Sequence, residues 1–147
     1  MNPRSSFQDN FTWEGVPLLE YKPQGNTFQD VTRQILFDGD PALPAQWRYF
    51  EVGAGGHSTL ERHAHLHVVM ILRGRGQVLL GERIEEVRTF DVLRIGSKVW
   101  HQFRATRGEP LGFLCLVNVE RDKPQLPGAE DLKQLRANAS VAEFIRV

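Results

Sequence analysis

The chain has 147 residues and a mass of 16.8 kDa, with 41% hydrophobic and 24% charged residues, the make-up of one ordinary folded domain. Eighteen basic and eighteen acidic residues cancel to a formal net charge of zero. That leaves no basic excess to neutralise phosphates and argues against nucleic acid as a partner. The longest apolar run, Val68-Val69-Met70-Ile71-Leu72, is far short of the ~20 residues that a membrane-spanning helix needs. Residues 1–6 lead into no apolar signal core, so a cytoplasmic protein with no membrane partner is expected. Cys115 is the only cysteine and sits in the apolar run Phe113-Leu114-Cys115-Leu116-Val117, which reads as a buried, reduced thiol.

Residues 1–30 are polar and turn-rich, with scattered aromatics (Phe7, Phe11, Trp13, Tyr21, Phe28) and prolines at 3, 17 and 23. They read as an N-terminal arm, with one short strand near 13–19, that packs its aromatics onto the body. Residues 31–119 change to short β-prone runs separated by Gly, Pro or charged turns. In order these are 31–37, 47–52, a Gly-rich turn over 53–56, then 58–63, 67–72, 75–80, 83–87, 91–95, 99–104 and 112–119. This spacing, with no convincing helix inside it, predicts an all-β sandwich or barrel. Residues 120–147 form a linker and two short helices, 130–136 and 141–145. Leu132, Leu135, Val141, Phe144 and Ile145 would face the barrel, with a cap offered by Ala139-Ser140.

Strand side chains alternate between faces, so 67, 69 and 71 oppose Val68, Met70 and Leu72, and Leu114 and Leu116 oppose Phe113, Cys115 and Val117. These strands are apolar on both faces, and the outer face needs a cover. A homodimer is one cover; the other is the N-terminal arm.

The chemistry concentrates in Glu61-Arg62-His63-Ala64-His65-Leu66-His67. In an extended segment Glu61, His63, His65 and His67 share one side. Buried without partners, such groups would each cost on the order of 1–3 kcal/mol, a cost that a divalent cation removes by taking neutral imidazole and carboxylate as ligands. His101, between the apolar Val99 and Phe103, is the natural closing ligand. A solvent-exposed His-rich turn is the plain alternative. His57 reads as a surface residue at a strand end.

These residues resemble the cupins, whose first motif is G-x5-H-x-H-x3,4-E-x6-G and whose second is G-x5-P-x-G-x2-H-x3-N. Gly55, Glu61, His63, His67 and Gly74 reproduce the first spacing, with Glu61 at the first His position and His67 at the Glu position. In the second, Phe90, Gly96, Lys98 and Ala105 replace the Gly, Pro, Gly and Asn, and only His101 stands. The resemblance spans about residues 31–119 and is closest to small single-domain bacterial cupins. It implies a double-stranded β-helix, or jelly-roll barrel, holding one metal ion. The implied ligands are His63, His67 and His101, with Glu61 or His65 as the fourth.

Three histidines with one carboxylate suit Mn, Fe, Ni, Co, Cu or Zn without distinguishing among them, and the lack of thiolate argues against a structural zinc site. A dioxygenase, isomerase or lyase acting on a small molecule is the first functional reading, with His65 or Glu61 available for proton transfer. Val69, Ile71, Val99 and Phe103 would wall the pocket. Arg62 or Arg104 could meet an anionic substrate, solvated surface charge being the commoner role for such residues. A non-catalytic binding or sensing module, and a dimer with the metal as a folding staple, are the competing readings.

Overall fold

The computed structural model describes residues 3–22 and 25–147; Met1, Asn2 and, within the expected arm, Pro23 and Gln24 lie outside the described residues. The described chain forms strands β1 (Phe7–Gln8), β2 (Thr12–Trp13), β3 (Leu19–Glu20), β4 (Gln29–Phe37), β5 (Ala45–His57), β6 (His67–Arg73), β7 (Arg75–Leu80), β8 (Arg83–Arg88), β9 (Val92–Ile95), β10 (His101–Ala105) and β11 (Leu111–Asn118), followed by helices α1 (Ala129–Arg136) and α2 (Ala139–Phe144). One curled antiparallel sheet carries the order β8-β7-β10-β5-β11-β6-β9, with β4 also paired to β5 and β3 to β4. The fold is the all-β, cupin-like barrel that the sequence predicts.

β5 is where the expectation needs correction. Residues 53–56 do not reverse the chain, and 58–63 is not a separate strand. Instead one long strand bends: Ala45 to Val52 pair with β11, while His57 pairs with Arg104 of β10. Gly55, at φ +74°, supplies the bend that a side chain would resist. Beyond His57, Ser58 N still donates to Phe103 O at 2.9 Å, but Phe103 N turns to Ser58 Oγ at 2.8 Å instead of a backbone carbonyl, and the regular ladder ends. Residues 58–66 run irregularly from there, pinned by bridges from Glu61 to His101 and from Arg62 to Gln125.

The inward faces of the strands form one core, which includes Val52, Val69, Ile71, Val78, Ile95, Phe103, Leu111 and Phe113. On the outer side the arm covers part of the sheet. Phe11 stacks on Tyr49 with ring centroids 5.9 Å apart, and Trp13 meets the same ring edge-on at 5.2 Å. Tyr49 Oη donates to Glu51 at 2.9 Å, and Glu51 in turn holds Arg73 at 3.0 Å. The single arm strand expected near 13–19 is instead split between β2 and β3, with Gly15 at φ +74° and Pro17, which has no amide to donate, between them.

The tail packs on the far side of the barrel, where Leu135, Val141, Phe144 and Ile145 bury against Leu60 and Leu79, and Leu132 adds a partly buried contact. The cap of α2 is Asn138 rather than Ala139-Ser140, because its side chain accepts from the amides of Ser140 and Val141. Ile145 has already left the helix, at ψ 146°. The fully buried Gln102 amide ties this tail to the barrel: Nε2 donates to Ser58 O and Arg146 O, and Oε1 accepts from Arg146 N.

Phe90 and Lys98 stand where the cupin motif has glycine, and both keep a left-handed backbone, at φ +76° and +61°. Their amides explain the constraint, since Phe90 N donates to Ile71 O and Lys98 N to His63 O, both at 2.7 Å. A side chain in this region costs about 1–2 kcal/mol. Lys98→Gly is therefore expected to stabilise the protein by about 1 kcal/mol, a gain readable in urea denaturation; unchanged or lower stability would contradict it.

Candidate metal centre

His67 opens β6 and His101 opens β10, while His63 lies in the irregular connection just before β6. Their rings meet at centroid separations of 4.7, 4.9 and 5.0 Å, and one nitrogen from each falls within 4.8 Å of the others. All three are buried. His63 Nδ1 donates to His65 O at 2.8 Å and His101 Nδ1 to Val99 O at 2.9 Å. A carbonyl can only accept, so both rings carry their proton on Nδ1 and keep the Nε2 lone pair for a ligand. His67 Nδ1 lies 3.2 Å from Cys115 Sγ, and its Nε2 is buried with no hydrogen-bond partner.

Burial, followed by the neighbouring histidines, pushes His67 down to about 2. Burial also takes His101 down to about 4. Both are therefore neutral at neutral pH, the form that binds a cation. Three buried imidazoles with an orphaned buried nitrogen among them fit a divalent metal and leave it room for further ligands. Burial raises the Cys115 thiol against the opposing Arg48 charge, so the sulphur beside His67 stays protonated.

Glu61 and His65, the two alternatives for the fourth position, line the same pocket but stand outside the three-nitrogen cluster. Glu61 Oε2 holds Lys22 Nζ at 3.0 Å. The His65 ring lies flat on His63, centroids 3.6 Å apart, and its Nδ1 is 2.8 Å from Asp122 Oδ1. Asp122 also accepts from the amides of Ala64 and His65 at 2.7 and 2.9 Å, which hold its carboxyl well below the usual range. His57 ends β5, with Nδ1 3.0 Å from Ser58 O, and takes no part in the site.

The pocket over the histidines has a volume of about 180 Å³. Of the expected walls, Phe103 lines it, joined by the rings of Tyr21, Phe50 and Phe113 and by Val31. Val69 and Ile71 follow His67 along β6 into the closed core, and Val99 lies outside the lining. Arg62 and Arg104 are also absent from it. Arg62 bonds Gln125 at 3.0 Å and lies over Trp100, while Arg104 bonds Phe144 O at 2.9 Å over the Phe144 ring. The cations that do line the pocket are Lys22, Arg33, Arg48 and Arg121. Arg33 and Arg48 were detectable as charges in the inward register of Val31-Arg33-Ile35 and Arg48-Phe50-Val52; nothing local marks Asp122 or Arg121.

A fold and a buried histidine trio of this kind define a cupin, and the chain belongs to the cupin family: the Cupin domain profile matches residues 48–117. Over 144 residues the chain is 54% identical to a protein of Rhodospirillum rubrum named 1-methylthio-D-xylulose 5-phosphate methylsulfurylase, covering 97% of this chain and 92% of that one. Among solved structures, a cupin 2 conserved barrel domain protein of Rhodopseudomonas palustris is 53% identical, with a TM-score of 0.93 over 98% of this chain and 99% of that one. A cupin-2 domain protein of Rhodospirillum rubrum is 54% identical, with a TM-score of 0.87 over 97% and 95% of the two chains. No helix among the described residues is long and apolar enough to cross a membrane.

Proposed function

We propose that this protein is a metal-dependent enzyme acting on a phosphorylated ketose that carries a methylthio group, the substrate class named for the Rhodospirillum rubrum relative. The observation that carries the reading is the convergence of three buried histidines in one small pocket. His63, His67 and His101 would hold the ion. Glu61 is the carboxylate of the set, since two oxygens let it keep Lys22 and still serve as a ligand. A divalent ion bound there supplies Lewis acidity toward a substrate carbonyl.

The chain's own groups do the rest. Phe50, Phe103 and Phe113 supply apolar walls to the pocket. Tyr21, its hydroxyl pushed up by burial, stays a neutral phenol able to donate a hydrogen bond. His65 is the group suited to moving a proton: Asp122 commits its Nδ1, so exchange falls to Nε2. Asp122→Asn is expected to lower kcat by about 10–100-fold while metal content stays at the wild-type level. Unchanged kcat would remove His65 from that role.

The test of the function is incubation of metal-reconstituted protein with 1-methylthio-D-xylulose 5-phosphate, followed by proton NMR of the S-methyl signal. Loss of that signal from the substrate supports the reading. A substrate that binds but persists unchanged would instead favour a binding module.

The outer sheet face supports a homodimer. Trp47, Leu116 and Val68 lie side by side across β5, β11 and β6, next to Met70 and Val92, and all five are exposed. The accessible surface of 8935 Å² exceeds the roughly 7,600 Å² expected for a compact monomer of this mass. Met70→Lys is expected to give a 16.8 kDa species in sedimentation, where the wild type runs at twice that mass. A monomeric wild type would refute the interface.

A further inference from the structure

We propose that Arg33, Arg48 and Arg121 form a phosphate-binding subsite beside the histidine trio, gripping the phosphate group of the substrate while its other end meets the metal centre. The inference rests on the substrate class proposed above and deepens it by assigning the residues that recognise the charged end.

All three arginines line the same pocket as His63, His67 and His101. Lys22, the fourth cation of the lining, is neutralised by Glu61. Among the described residues, no carboxylate lies within 4.0 Å of Arg33, Arg48 or Arg121. The pocket thus concentrates three positive charges without a direct ion pair; Asp38 acts on Arg121 only at longer range, through the Gln46 amide.

Each guanidinium is held in place by neutral groups. Arg33 Nε donates to Glu20 O at 3.0 Å. Arg121, in the segment after β11, donates from Nη1 to Asn118 O and Val119 O and from Nη2 to Gln46 Oε1. Arg48 lies over the Phe50 ring at 4.9 Å, and its Nη2 reaches Cys115 Sγ at 3.4 Å, a weak acceptor. Its Nε is buried and has no hydrogen-bond partner. A charged donor left in that condition is costly unless something else binds there. The Arg121 guanidinium is pushed down first by burial and then by Arg48, so the group senses its like-charged neighbour.

The anion is a phosphate rather than a carboxylate on grounds of charge. A phosphate monoester brings close to two negative charges and three oxygens to three cations, and planar guanidinium forks match that geometry two bonds at a time. A carboxylate would leave most of the positive charge unbalanced. The location also suits a substrate with two distinct ends. His67 Nδ1 and Arg48 Nη2 both reach one atom, Cys115 Sγ, at 3.2 and 3.4 Å, so the cations and the metal centre adjoin.

Calorimetric titration with inorganic phosphate tests the subsite without any turnover. Wild-type protein should bind phosphate both metal-loaded and metal-stripped. Arg121→Gln, at an exposed position that tolerates the change, and Arg33→Gln should each weaken binding by about 10–100-fold with metal content unaltered. Arg48→Lys keeps the charge but loses the fork, and should weaken phosphate by about tenfold. Failure of the wild type to bind phosphate overturns the proposal. So does binding that disappears with the metal and is untouched by the arginine variants, because the anion would then be a metal ligand. If phosphate behaves as expected but methylthioxylulose phosphate is not consumed, the subsite stands and the proposed reaction falls.

Discussion

His67→Ala is expected to leave the protein without its metal and to reduce turnover by about a thousandfold or more, since losing a Lewis acid removes several kcal/mol of transition-state stabilisation. The same change should not unfold the chain. His67 sits at the first residue of β6, and the ladder from Val68 to Met70 is backbone-bonded on both sides, to β11 and to β9. In the metal-free protein, His67 Nε2 is a buried nitrogen without a partner, and deleting it removes a penalty of about 1–3 kcal/mol. The metal-free variant should therefore melt no lower than metal-free wild type. With metal at a hundredfold excess over its Kd the order reverses, because only the wild type gains about 2.7 kcal/mol from binding. His63→Ala should likewise lose the metal without unfolding the chain, but it gives up the Nδ1 bond to His65 O and gains no relief from an orphaned nitrogen. Full metal occupancy in both variants by elemental analysis would defeat the assignment of these ligands.

The second large effect is expected at a residue far from any chemistry. Gly74 is the only residue between β6, which pairs with β9 and β11, and β7, which pairs with β8 and β10. The chain turns a barrel corner there, at φ +70°. A methyl group on Gly74 would collide with the Pro110 carbonyl, which is backbone and cannot swing aside. The left-handed conformation costs about 1–2 kcal/mol and the overlap about 1–3 more, so Gly74→Ala should destabilise by about 3 kcal/mol. For a chain of this size that lowers Tm by about 10 °C. A melting point within a degree or two of wild type would mean that the corner relaxes freely.

The strands after His67 were legible because each is a short β-prone run that ends at a turn signal: β7 falls at 75–80 as the sequence indicates, and β6 and β8 each extend one residue further. β9 and β10 begin later than expected, at 92 and 101, and β11 lies one residue earlier, at 111–118. The merging of 47–52 with 53–57 was not legible. Glycines that bend a strand and glycines that reverse a chain look alike in sequence, and only the pairing of His57 with Arg104 separates them. The histidine cluster was visible because imidazoles at alternate positions are rare in an apolar setting. Its parity argument assumed a strand, yet residues 58–66 are irregular, and the rings converge because His63 Nδ1 bonds the His65 carbonyl. Arg121 and Lys22 reach the pocket, and Asp122 reaches His65 behind it, from segments remote in sequence, and no local pattern carries that information. Arg62 and Arg104 were plausible by proximity in sequence, but each lies beside an aromatic ring that claims it, Trp100 or Phe144.

The Gln102 amide couples the segment around Arg146 to the strand that carries His101. It follows His101 directly and grips the backbone of Arg146, so loss of Arg146 would leave Gln102 Oε1 buried without a partner beside a proposed metal ligand, with Nε2 still held by Ser58 O. Purification handles are better placed beyond Val147 than substituted for it.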